Sequence, residues 1–247
     1  MKFSVRSVVT VVPYRKVENL TGVLRMLPRT QKKDVDVVIP NLCSYKVLHD
    51  RFRNSYLEVS CRRLQEELDI EISYTYERVA DTERPDSVFL ESSKYVDVKK
   101  FESLGKMLRG DREEETFINA VNYARKILSY ERVMDFKSGY ESVKRGIGVC
   151  FHFSHVVIGI LRSQGIPSRI VSGLTPFKER TEESHAWVQG YIGKKWMDAD
   201  PTAGLIGVGN YITWNVGRDE FDVRTKFSGL GKFQLREYHE VRAVRES

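Results

Sequence analysis

The sequence predicts an α+β protein, and three observations carry that prediction. Side chains alternate with a period of two in the first third, apolar stripes of helical period begin after residue 98, and a glycine-centred hairpin follows the last helix. Leu68, Ile70, Ile72, Tyr74 and Tyr76 alternate with Asp69, Glu71, Ser73, Thr75 and Glu77, so one strand face meets a core and the other meets water. Residues 56–61 read as the preceding strand, entered through a turn at Asn54-Ser55. Residues 35–39 read as a short strand stopped by Pro40. Phe101, Leu104, Met107 and Leu108 are spaced for a short helix ending near Gly110. Phe117, Ala120, Val121, Ala124 and Leu128 mark a longer amphipathic helix, whose acidic residues 113–115 sit where the helix dipole favours negative charge. This change of period divides the chain into a β-rich N-terminal domain, residues 1–100, and a second domain, residues 101–247, that includes the C-terminal strands.

Residues 151–164 form another helical stripe, with Val156, Val157, Ile160 and Leu161 facing inward and Gly165 as the stop. Residues 169–173 read as a strand, and 186–192 and 196–200 as two more joined by a turn near Gly193-Lys194. Residues 210–244 read as short strands separated by glycines. The second domain is thus a helix, with a cysteine at its start, packed on an antiparallel sheet.

Composition excludes several classes of function. No apolar run approaches the ~20 residues that span a bilayer, and the valine-rich patch at Val8 to Val12 lacks the cleavage pattern of a signal peptide. The net charge of +6 comes from scattered basic residues interrupted by acidic ones, whereas a nucleic-acid protein concentrates its charge in a stripe. Neither membrane nor nucleic acid is therefore expected as a partner. Cys43, Cys61 and Cys150 are an odd and sparse set, so unpaired thiols in the reducing cytoplasm are expected. Cys150, His152 and His155 lack a second cluster, so no metal or cofactor is expected.

The chemistry concentrates on one of the three cysteines. Cys150 follows Gly146-Ile147-Gly148-Val149 and opens an apolar helix, whose first-turn N–H groups favour a thiolate and can donate to an oxyanion. Cys43 and Cys61 have no base or glycine loop nearby and read as small buried hydrophobes. His185 begins a strand after a polar loop. If the hairpin turns on Ile192-Gly193, Asp200 lies directly opposite His185; if it turns on Gly193-Lys194, Asp200 is the diagonal neighbour. Asp198 is two residues further away in either register and remains the alternative. Thiol, imidazole and carboxylate then have the roles of nucleophile, base and orienter.

Gly148-Val149-Cys150, Arg162-Ser163-Gln164-Gly165-Ile166-Pro167-Ser168-Arg169, His185-Ala186-Trp187 and Asp200-Pro201-Thr202 together resemble the transglutaminase-like superfamily of papain-type thiol enzymes. The resemblance implies a papain/transglutaminase-like core with Cys150, His185 and Asp200 as its catalytic residues, and a structural turn at Gly165 to Arg169. It implies thiol-dependent acyl transfer on peptide or amide bonds of a protein or peptide substrate through a thioester, as a cysteine protease or amidase. The alternatives are amine transfer to protein glutamine and a non-catalytic binding module. A tail segment, Gly217 to Val223, is also similar to family members. Residues 50–54 carry arginine where glycine is expected, and Asn210-Tyr211-Ile212 lacks a histidine often found there. Trp187 and Trp196 are expected to form a core pair rather than a substrate channel, and His152 and His155 to be structural or exposed. Tyr140 is a possible oxyanion donor by its position before the cysteine loop alone, and Arg218 with Asp219 is expected to form an ion pair.

Overall fold

Alternating apolar side chains make the first third of the chain a set of strands. The computed structural model describes residues 1–29, 34–132 and 135–244. Its strands begin with β1 (Lys2–Pro13), β2 (Val17–Leu24), β3 (Asp36–Val38), β4 (Cys43–His49), β5 (Ser55–Leu64) and β6 (Leu68–Glu77). Two 3₁₀ turns lead into α1 (Glu102–Leu108), α2 (Glu113–Ile127), β7 (Ser129–Tyr130), α3 (Gly139–Arg145), β8 (Ile147–Gly148) and α4 (Cys150–Ser163). Next come β9 (Ser168–Leu174), β10 (Arg180–Thr181), β11 (His185–Ile192), β12 (Lys195–Asp200), β13 (Leu205–Ile206) and β14 (Ile212–Gly217). The single-turn α5 (Glu220–Val223), β15 (Lys226–Leu230) and β16 (Phe233–Val244) complete the chain.

One sheet has the order β10-β16-β1-β6-β3 and a second the order β15-β2-β5-β4. Their inner faces share one core, in which Val5, Val9 and Val11 of β1 meet Leu20 and Leu24 of β2 and Leu57 and Val59 of β5. All five apolar residues of the alternating segment in β6 are buried. The valine-rich patch is thus the middle of a central strand, paired along its length with β6 and with β16. This differs from the expected division of the chain. The tail strands β15 and β16 pair with β2 and β1 in the N-terminal sheets, and among the described residues their one pairing with residues 101–200 is the two-residue β10 on the outer edge of β16.

Cys43 and Cys61 form a disulfide rather than remaining free thiols. They are direct partners in the β4–β5 ladder, where facing side chains come close enough to bond. The cytoplasmic expectation rested on unpaired cysteines, and that premise does not hold. Among the described residues, no helix is long and apolar enough to cross a membrane.

The third sheet, β13-β12-β11-β9-β14, is antiparallel, and α4 packs against it. Helix α4 is apolar nearly all round and is buried along most of its length, enclosed by the sheet and by α1, α2 and α3. Gly165 follows α4 with φ +74°, a left-handed stop that turns the chain into β9. Arg162, 3% exposed, donates to the carbonyls of Ser168, Glu91 and Arg218 and ties the end of α4 to three loops. Arg162→Leu leaves those carbonyls without their donor and is expected to destabilise the fold by ~3 kcal/mol. A urea midpoint equal to that of the wild type contradicts this role.

The turn at residues 50–54 explains its unusual arginine. Arg53 has φ +61°, the left-handed conformation that glycine adopts without steric cost. Asp50 Oδ1 accepts from the backbone N–H groups of Phe52 and Asn54, which holds the turn. The fully buried Asn54 then donates to the Val216 carbonyl and accepts from the Val216 N–H, pinning the turn to β14.

Candidate active site

Cys150 is the first residue of α4, partly exposed, with Val149 as the N-cap. The approach is rigid. His152 Nδ1 accepts from the Val149 N–H at 3.1 Å while its Nε2 bonds to the Phe136 carbonyl, so this ring is a neutral brace. A Cβ at Gly148 would lie 2.6 Å from the Cβ of His152, so glycine is required for the strand to pass this close to α4.

The β11–β12 hairpin presents the histidine and the carboxylate. Gly193 and Lys194 both have positive φ, 55° and 65°, as a two-residue type I′ turn requires. That turn selects the second of the two registers, with Val188 opposite Ala199, and leaves Asp200 diagonal to His185. His185 Nε2 bonds to Asp200 Oδ2 at 2.8 Å. The Cys150 sulfur is the imidazole's other neighbour, close enough to raise its pKa. The three predicted residues therefore lie together, with His185 bonded to Asp200 and beside Cys150.

Electrostatics set the charge of the ring. Burial lowers the His185 pKa, but the hydrogen bond to Asp200, the nearby Cys150 sulfur and the negative charges of both outweigh it, raising the pKa to about 10. For Asp200, burial opposes ionisation, yet the His185 bond and charge, with donors from Tyr211 and Ala203, hold its pKa below the usual carboxylate range. Asp200 Oδ1 accepts from the Thr202 and Ala203 N–H groups at 3.0 and 3.2 Å, and Oδ2 also accepts from the Tyr211 hydroxyl at 3.0 Å.

Asp198 has other partners. Its Oδ1 accepts from Trp187 Nε1 and Gln189 Nε2, each at 2.9 Å, and its Oδ2 accepts from Arg78. Trp187 and Trp196 belong to a buried aromatic cluster and do not line the cleft. His155 is fully buried, with Nδ1 bonded to the Lys137 carbonyl and Nε2 accepting from the Glu220 N–H. Burial lowers its pKa to about 3 and that of His152 to about 4, so both rings are neutral and structural. Tyr140 packs edge-on against Phe101 in the helical core and does not line the cleft. Arg218 pairs with Asp222, not with Asp219. Asp219 caps α5 through the Phe221 N–H and accepts from the Tyr95 N–H.

Two further residues of the site carry no signal in the sequence. Tyr211 occupies the stretch that lacks the expected histidine, and its hydroxyl makes the bond to Asp200. Tyr211→Phe removes one of two donors to a buried carboxylate oxygen and is expected to cost ~1.5–3 kcal/mol of stability. It should also raise the pKa at which His185 titrates, read from its ring resonances by NMR, because the carboxylate, relieved of a competing donor, holds the imidazolium more strongly. Tyr130 is the other. The parallel β7–β8 pair sets it opposite Gly148, two residues before the cysteine, and it lines the cleft. Burial and the nearby charge of Cys150 raise its pKa, so its phenol stays protonated.

The cleft has a volume of about 860 Å³, and Cys150, His185 and Tyr130 open into it. An imidazole beside a thiol and bonded to a buried carboxylate, at a helix start next to an open cleft, is the arrangement of a thiol enzyme. Residues 104–201 match the model of the transglutaminase-like superfamily, and Cys150, His185 and Asp200 all fall within that segment. An uncharacterized protein of Mycobacterium leprae is 35% identical over 146 residues, which is 54% of this chain and 52% of the relative. The match thus spans about half the length of that relative. A proposed cysteine protease of Cytophaga hutchinsonii shares the fold with a TM-score of 0.82, covering 100% of this chain and 92% of the other at 18% identity.

Proposed function

We propose that the protein is a thiol-dependent acyl-transfer enzyme that hydrolyses peptide or amide bonds. The observation that carries this reading is the placement of His185, bonded to Asp200 and beside the Cys150 sulfur at the start of α4. With its pKa near 10, His185 is an imidazolium at neutral pH, and a protonated base beside a thiol implies a thiolate–imidazolium pair. The thiolate attacks the substrate carbonyl. The first-turn N–H groups of α4 donate to the developing oxyanion, and Tyr130, lining the same cleft, is a further candidate donor. The imidazolium protonates the leaving amine, and a thioester on Cys150 remains. Water then gives its proton to the neutral imidazole and attacks the thioester, restoring the pair.

Water is the favoured acceptor because the cleft is open and its walls carry polar, charged side chains, among them Arg132, Glu183 and Arg236. An amine-transfer enzyme must keep water from its thioester, and this site has no dry enclosure around the sulfur. The complete set of three residue types also argues against a binding module on the same scaffold.

The test is intact-mass analysis after incubation with a library of peptide amides, with and without an added primary amine. The expected result is a transient acyl adduct on Cys150 and products carrying a free carboxylate, whether or not amine is present. Products that carry the amine instead would assign amine transfer. No adduct and no turnover with any peptide would return the protein to the class of binding modules.

A further inference from the structure

Part of β16 lines the same cleft as Cys150. Five consecutive residues line it, from Gln234 to Tyr238. Successive side chains of a strand point to opposite faces, so five in a row line a cavity only when the strand borders it by its edge. One edge of β16 is paired with β1 throughout. On the other edge, among the described residues, β10 pairs only at His239 and Glu240, and the rest of that edge toward Phe233 has no strand partner.

The direction of the free backbone groups follows from one bond. The Val241 N–H donates outward to the Glu179 carbonyl, on the β10 side. In an antiparallel strand the N–H and C=O of one residue point to the same neighbour, and this direction alternates along the chain. Odd-numbered residues of β16 therefore face outward, and Leu235 and Glu237 present two N–H and two C=O groups to the cleft. β10 stops at Thr181, where the Thr181 side chain bonds to the backbone of Glu183 and turns the chain away from the edge. Four residues later the chain reaches His185, a span of at most ~14 Å. The edge position that β10 leaves vacant is thus continuous with the site of the chemistry.

We propose that an extended segment of the polypeptide substrate binds by adding a strand to this free edge of β16, with main-chain hydrogen bonds to Leu235 and Glu237. The proposal rests on the thiol-enzyme reading of Cys150 and names its substrate class: unfolded or extended polypeptide recognised through its backbone. Charges along the cleft support main-chain rather than side-chain selection. Arg132 pairs with Glu183, Arg236 with Glu67, Arg25 with Asp50, and Glu220 with Lys137, so neither sign is left as a dominant patch. A bare edge would also be open to pairing with other chains, and here it lies inside a cleft.

Epoxysuccinyl peptides with one to five alanines on either side of the ring test this. The Cys150 thiolate opens the epoxide, forming C–S and breaking C–O, and the alkoxide takes the imidazolium proton. Each inactivation rate is divided by the same protein's rate with iodoacetamide. The normalised rate is expected to rise at least tenfold with chain length on one side of the ring. N-methylation of alternate alanines should abolish that gain in one parity and spare it in the other. Glu237→Pro removes an outward N–H while leaving the β1 ladder paired, and should also abolish the gain. Rates independent of length on both sides, or equal losses in both methylation parities, would overturn the edge proposal. The thiol-enzyme reading fails separately, if His185→Ala leaves iodoacetamide labelling of Cys150 unchanged.

Discussion

Cys150→Ala is expected to lower amide hydrolysis by at least ~10⁴-fold, since the pathway through a thioester is then closed. The fold should persist. Cys150 sits at the start of α4 and is partly exposed, so the loss of its sulfur leaves little cavity, and the helix is held by its buried apolar faces and by Arg162. The combination of wild-type stability with lost turnover separates this role from a packing role. Residual activity within tenfold of wild type contradicts it.

Asp200→Asn is the second large effect. The amide keeps the shape of the carboxylate but not its charge, and it can donate to the ring nitrogen that now donates to Asp200. The imidazole loses the partner that sets its tautomer and charge, and kcat is expected to fall by ~10²–10⁴-fold with KM little changed. The pH dependence shifts in a definite sense. His185 is raised from 6.5 to about 10 in the folded protein. Its contribution to stability is therefore complete below pH 6.5 and is lost as pH rises through about 10. Asp200, held low, contributes above the ordinary carboxylate range, and that contribution is lost as pH falls through its depressed pKa. In Asp200→Asn both contributions shrink, so the stability gap between wild type and variant should be widest near neutral pH. A gap that is flat from pH 3 to pH 10.5 contradicts this coupling.

Much of the site was legible in the sequence because its parts are local. The stripe in α4, the glycine stop at Gly165 and the I′ turn at Gly193-Lys194 are set by residues within a few positions of each other. The hairpin narrowed the carboxylate to Asp200 or Asp198, and the turn conformation together with the bonds to Trp187, Gln189 and Arg78 separated them. What was not legible is non-local. β1 and β16 lie at opposite ends of the chain, and a period of two does not say which strand a segment will pair with. The tail strands were for that reason grouped with the wrong sheet. The Cys43–Cys61 bond depends on the same pairing information, through the β4–β5 register. Tyr130 and Tyr211 reach the site through a two-residue parallel bridge and a loop before β14, neither of which has a sequence pattern of its own.

The thiolate–imidazolium pair is tested by the rate of Cys150 alkylation by iodoacetamide across pH, in wild type, His185→Ala and Asp200→Asn. A thiolate–imidazolium pair predicts fast wild-type labelling through neutral pH, with a change near pH 10 as the imidazolium is lost. His185→Ala should be slow at neutral pH and rise as an ordinary thiol does, near pH 8.5, with Asp200→Asn in between. Three superimposable profiles, each rising near pH 8.5, would contradict the pair.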